Sequence, residues 1–110
     1  MTPDQFRKIA LSLPETVEAS HMNHPDFRVC GKIFATLDFP EPGWGMVKLT
    51  PAQQQEWTSA APEAFVPVKG GWGRQGGTNV VLKKVKASAL REALFAAWLN
   101  AAPKRLIEGS

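Results

Sequence analysis

Cysteine is nearly absent from this sequence, with Cys30 alone, and tyrosine is absent altogether. A single cysteine excludes an intramolecular disulfide and suits a reducing compartment. Histidine is scarce too, with only His21 and His24. His21-x-x-His24 with Asp26 and Cys30 is thus the one cluster of metal-ligand atoms, and no second pair completes a tetrahedral set. Long apolar runs are missing: the longest, Ala93–Leu99, is far too short to span a bilayer. The N-terminus has no basic leader ahead of an apolar stretch, so a secretory signal is not expected, and cytoplasmic residence is. The last absence is of charge of one sign. Between Glu63 and Glu92 stand Lys69, Arg74, Lys83, Lys84, Lys86 and Arg91 with no carboxylate among them.

The chain of 110 residues is 44% hydrophobic and 21% charged, which suits one globular domain over residues 1–110 with a core of its own. The net charge of +3 is modest, but the acid-free stretch supplies a local field of one sign that suits an anionic partner. A solvated lysine-rich surface is the plain alternative.

Local signals predict a mixed fold. Thr2 with Gln5 forms a capping box, Pro3 takes the first helical position, and Phe6, Ile9, Ala10 and Leu13 recur at helical spacing, predicting a helix over 3–13. Residues 15–25 are polar and end in His24-Pro25, an entry into extended chain. Strands are predicted at 26–30 and 32–38 around a Cys30-Gly31 turn, with Ile33, Ala35 and Leu37 facing inward and Lys32, Phe34 and Thr36 outward. A third strand at 45–49 points Val47 and Leu49 inward, Met46 and Lys48 outward. Thr50, Pro51 and Gln53 repeat the capping signal for a helix over 51–60. Phe65–Val68 carries Pro67, so it is an edge or bulged strand if extended. Lys69 to Gly77 reads as a glycine-rich loop, 78–85 as a strand, and 87–101 as a helix whose buried line is Leu90, Leu94 and Trp98. Lys104 and Arg105 suit the negative end of that last helix. The predicted core is Phe6, Ile9, Leu13, Phe27, Val29, Ile33, Leu37, Val47, Leu49, Trp57, Val80, Leu82, Leu90, Leu94 and Trp98. Hairpin-length connections argue an antiparallel sheet with helices on one face, an α+β domain whose other face is open for contact.

No motif of catalysis emerges. Cys30 with a histidine as base is weighed against a cysteine that simply occupies a turn, and the acidic residues are scattered singly. The run Gly70-Gly71-Trp72-Gly73-Arg74-Gln75-Gly76-Gly77 leads into a strand, whereas a phosphate loop or dinucleotide fingerprint must lead into a helix. Trp72 stacking on a planar ligand with Arg74 holding an anion is one reading of this run. The other is Trp72 folded back as a plug over the sheet edge. On the outer sheet face, Arg28, Lys32 and Lys48 interleave with Phe34 and Met46, a pattern that suits a phosphate backbone; the alternative is that the glycine-rich loop covers the apolar pair.

Several segments together resemble the MmcQ/YjbR-like family of small bacterial domains: His24-Pro25-Asp26-Phe27-Arg28-Val29, Gly31-Lys32-Ile33-Phe34-Ala35, Val47-Lys48-Leu49-Thr50-Pro51, Pro62 through Val68, Trp72-Gly73, and Ala102-Pro103-Lys104-Arg105-Leu106. The resemblance implies a two-layer, frataxin-like antiparallel fold and, through the "double wing" arrangement, DNA binding. It implies no catalytic residue and no cofactor. Where relatives usually carry Trp-Thr and a basic residue, this chain has Gly77-Thr78-Asn79, which removes one aromatic and one charge. The resulting expectation is a monomeric, non-enzymatic domain that binds DNA weakly and without sequence preference. The expected contacts are Arg28, Lys32, Lys48, Trp72, Arg74, Lys83, Lys84 and Lys86, with no metal and no membrane. A protein-interaction or small-ligand module is the alternative, and an enzyme of unrecognised type the third reading.

Overall fold

The two capping boxes start their helices as the spacing predicts. In the computed structural model, which describes residues 1–21, 23–39 and 41–108 (His21 by its backbone only), Thr2 Oγ1 accepts from the Gln5 amide at 3.1 Å, and Gln5 Oε1 accepts from the Thr2 amide at 2.7 Å. Helix α1 (Pro3–Leu11) ends two residues short of the predicted limit, because Ser12 Oγ turns back to the Ile9 carbonyl at 2.6 Å ahead of Pro14. Thr50 and Gln53 repeat the arrangement at the start of α2 (Pro51–Ala60).

Between α1 and the predicted hairpin lies a strand the polar composition concealed. β1 (Thr16–His21) pairs along its whole length with β2 (His24–Val29). As an edge strand it keeps exposed residues on both faces: Glu18 accepts from Arg7 Nε at 2.9 Å, and Val17 stands in solvent. The Cys30-Gly31 turn leading to β3 (Lys32–Leu37) is tight, with φ of +48° and +83° at the two residues, as a two-residue hairpin of matching twist requires.

A bulge in β3 overturns one part of the expected pattern. Phe27 pairs with Ala35, but Arg28 pairs with Ile33, so Phe34 is the extra residue. The bulge breaks the two-residue alternation. Phe34, expected outward, is buried in the main core, whereas Ile33, expected inward, is only half-buried and stands apart from that core.

β4 (Trp44–Lys48), β5 (Phe65–Pro67) and β6 (Gly77–Val81) complete a six-stranded, wholly antiparallel sheet in the order β1-β2-β3-β4-β6-β5. Pro67 sits in the edge strand β5, where the sheet can do without its N–H. The segment expected as a glycine-rich loop contains a short helix, α3 (Gly71–Arg74). β6 stops at Val81 and not at 85, so Lys83 and Lys84 lie in a turn and not on a strand.

The long helix α4 (Ala87–Ala101) crosses β3 and β4 and buries Leu90, Leu94 and Trp98 as its spacing predicts. Trp98 Nε1 donates to the Pro14 carbonyl at 3.0 Å, so its one polar atom is satisfied inside the core. Pro103 separates α4 from α5 (Lys104–Glu108). Lys104 and Arg105 therefore open a new helix instead of closing the old one. Of the predicted core, Ile9, Leu13 and Trp57 sit half-buried at the margin, Ile33 lies outside it, and the rest are buried. Phe6 covers Gly45, where an added Cβ would meet the ring at 2.7 Å. No described helix is long and apolar enough to cross a membrane.

Candidate nucleic-acid interface

Antiparallel pairing brings the start of β3, the end of β4, the start of β6 and the end of β5 to one end of the sheet. Lys48 is the register partner of Gly77, and the Val68 amide donates to the Gly77 carbonyl at 3.0 Å. Lys69, exposed, follows directly, and α3 begins two residues later. Lys32, Lys48 and the stretch from Lys69 through Trp72 to Arg74 are thereby gathered from three separate chain segments. From β3 across β4 and β6 to β5 is three strand spacings, roughly 14 Å.

The backbone beneath these side chains is held firmly. Gln54 Nε2 donates to the carbonyls of Gly73 at 3.0 Å and Gly77 at 2.9 Å, fastening α3 and β6 to α2. Asn100 Nδ2 donates to the Lys48 carbonyl at 3.2 Å and to Gln53 Oε1 at 2.8 Å. The same Gln53 oxygen completes the α2 capping box, so one amide ties the end of α4 to the base of the site. The glycines permit close approach: a Cβ at Gly73 would lie 1.6 Å from the Val68 carbonyl oxygen, and one at Gly76 1.9 Å from that of Leu49.

Trp72 does not plug the sheet edge, since 51% of its surface is exposed. The Lys48 ammonium stands 4.9 Å from the centre of its ring, a cation–π contact. Lys48 also separates two depressions. A shallow groove of about 380 Å³ lies beside Lys32, Ile33, Ala97 and Asn100, and a smaller cleft of about 100 Å³ beside Trp72, Gln75 and Gly77.

The candidate cations at this end form no ion pair among the described residues. Among the described residues the ion pairs are Arg7 with Asp4 and Glu18, Arg28 with Asp26, and Arg105 with Glu15; none engages Lys32, Lys48, Lys69 or Arg74. The remaining sequence candidates fall elsewhere. Arg28 is committed to the buried Asp26, donating through Nε at 2.8 Å and Nη2 at 3.1 Å, and this hydrogen bond holds its guanidinium above the ordinary arginine range. Lys83, Lys84 and Lys86 lie beyond the other end of β6, roughly 14 Å of strand away. The acid-free stretch of sequence is thus divided between the two ends of β6 and does not form one face.

His24 and Cys30 lie at opposite ends of β2, roughly 17 Å of strand apart, so they form no nucleophile–base pair. His24 meets Phe39 edge-on at 5.1 Å, and Cys30 Sγ accepts from Arg105 Nη2 at 3.5 Å. Gln54, Asn100 and Lys69 are the residues that sequence reasoning missed. The first two carry no local signal, because their partners are distant in the chain. Lys69 was visible as a cation beside the glycine run, but its place at the same end of the sheet as Lys48 depends on the β5–β6 pairing.

The fold and the site define a small α+β domain that brings cations and a half-exposed tryptophan to one end of its antiparallel sheet. The YjbR family model matches residues 11–100, and the chain belongs to that family. The structure is similar to the crystal structure of Deinococcus radiodurans protein DR2400, which carries a domain of the DUF419 type. The TM-score is 0.74 at 24% identity, covering 90% of this chain and 77% of that one. No curated protein matches.

Proposed function

We propose that this domain binds DNA through its backbone, weakly and without sequence preference, at the sheet end around Lys48. The observation that carries the reading is that Lys32, Lys48, Lys69 and Arg74, none of them ion-paired among the described residues, fall at one end of the sheet, where Lys48 meets the exposed Trp72 ring. Their spread of roughly 14 Å corresponds to about four phosphates along one strand. Phosphate contacts of this kind position a protein without reading bases. The same proposal takes the fold as a frataxin-like, double-wing arrangement acting as a cytoplasmic monomer. It gives Lys83, Lys84 and Lys86, which lie beyond the opposite end of β6, a lesser share of the contact.

The test is fluorescence anisotropy with a labelled 20-base-pair duplex. Three to four phosphate contacts predict a micromolar or weaker affinity that falls roughly 40- to 150-fold between 50 and 200 mM salt. Replacing Lys32 and Lys69 with alanine together should reduce the log–log salt slope by about two, whereas the Lys83→Glu, Lys84→Glu pair should change affinity less. Absence of salt-dependent binding at 50 µM protein and 50 mM salt would overturn the reading and leave a protein or small-molecule partner as the occupant of this surface.

A further inference from the structure

The tryptophan at this site is placed as a tool is placed, and resting on the DNA reading above, we infer that it receives an unpaired base. Trp98 is fully buried and Trp44 and Trp57 are partly covered, yet Trp72 leaves half its surface in solvent on a backbone that is not free to move. Gln54 holds the carbonyls of Gly73, the next residue in the chain, and of Gly77, which lies so close that an added Cβ would meet the Trp72 carbonyl oxygen at 2.8 Å. A large ring held out on a fixed backbone is a platform.

What now covers one face of that platform is the ammonium of Lys48, 4.9 Å from the ring centre. Asn100 fixes the Lys48 main chain, but its side chain is a flexible four-carbon stem. A nucleobase stacked on tryptophan gains more than an exposed lysine does by resting there. When a base takes the ring, the displaced ammonium is left one side-chain length from the phosphate that the same nucleotide carries. A nucleotide therefore replaces both halves of the resting contact at once, its base taking the place of the cation and its phosphate the place of the ring. The cleft beside Trp72 offers Gln75 as an adaptable amide at the base edge. In a duplex the bases are stacked on one another and present no free face, so the arrangement favours single strands, ends and unpaired nucleotides. Stacking is tolerant of base identity, in keeping with contact that reads no sequence.

The experiment compares three labelled probes at 50 mM salt with the whole chain: a thymidine 12-mer, an abasic 12-mer with the same phosphates, and a duplex of equal length. The thymidine strand should bind at least about fivefold more tightly than the abasic one, the lower bound for one stacked base. Trp72→Leu should bring that ratio to about one. Lys48→Met should weaken all three probes but preserve the ratio, since the ring is then uncovered. Thymidine strand should quench wild-type tryptophan emission and abasic strand should not, a readout that does not depend on either variant folding. Equal affinity for thymidine and abasic strands with no quenching would overturn the stacking inference while sparing the phosphate contact. Failure of all three probes to bind would overturn the DNA reading itself.

Discussion

Substituting alanine for Gly73 asks whether the glycine-rich segment is a loose loop or a fitted joint. Gly73 is buried against β5, and a Cβ there would sit 1.6 Å from the Val68 carbonyl oxygen and 2.7 Å from its carbon. Both are main-chain atoms, so no rotamer change relieves the clash, and α3 must retreat by about 2 Å to restore an ordinary contact. That retreat breaks the two Gln54 bonds and strains the Val68–Gly77 bond. Three hydrogen bonds at about 1 kcal/mol each, with an overpacking term of about 1–3 kcal/mol, predict a loss of about 4–6 kcal/mol. This is a large part of the stability of a domain this size. Gly76→Ala should be as damaging, since its φ of +109° disfavours a side chain and the Leu49 oxygen lies 1.9 Å from the added carbon. Gly71→Ala is the control. Its nearest neighbour, Arg74 Nη2, lies at 3.8 Å, so alanine should be neutral or stabilise by about 0.5 kcal/mol through the entropy of the unfolded chain. Urea denaturation followed by far-UV circular dichroism, fitted for midpoint and slope, measures all three. A Gly73→Ala protein within about 0.5 kcal/mol of wild type would refute the steric argument and, with it, the rigid placement of Trp72.

Leu94→Ala, at a fully buried position of α4 facing β3 and β4, should lower stability by about 2–5 kcal/mol in the same assay, and a change near zero would put the helix in the wrong phase. Arg28→Ala should lower the urea midpoint more than Asp26→Asn does, because it strands a buried carboxylate whereas the asparagine variant leaves a cation that water reaches; the reverse order would refute the pairing as drawn.

Much of the fold was legible because its causes are local. Two Thr-Pro-x-Gln segments each carry their own cap and first helical residue, so both helices begin where the sequence places them. Cys30-Gly31 marks its turn because few residues adopt positive φ, and α4 shows its buried line at the expected spacing. β1 was not legible. An edge strand needs no apolar stripe when its partner supplies the pairing and Arg7 meets its charge. The exchange of Phe34 and Ile33 was hidden for a different reason: a bulge arises from the register between two strands, and alternation within one strand cannot report it.

The candidate site divides along the same line. By itself the sequence determined which chemistry was available: a cation-rich, acid-free stretch and a tryptophan set among glycines. Only the tertiary structure decided how those cations are shared out. The β4–β6 pairing brings Lys48 to Trp72, and the β5–β6 pairing adds Lys69, while the direction of β6 carries Lys83 and Lys84 to the opposite end of the sheet. Charge is a property of residues, but a charged surface is a property of strand order and register, which arise from contacts between segments far apart in the chain.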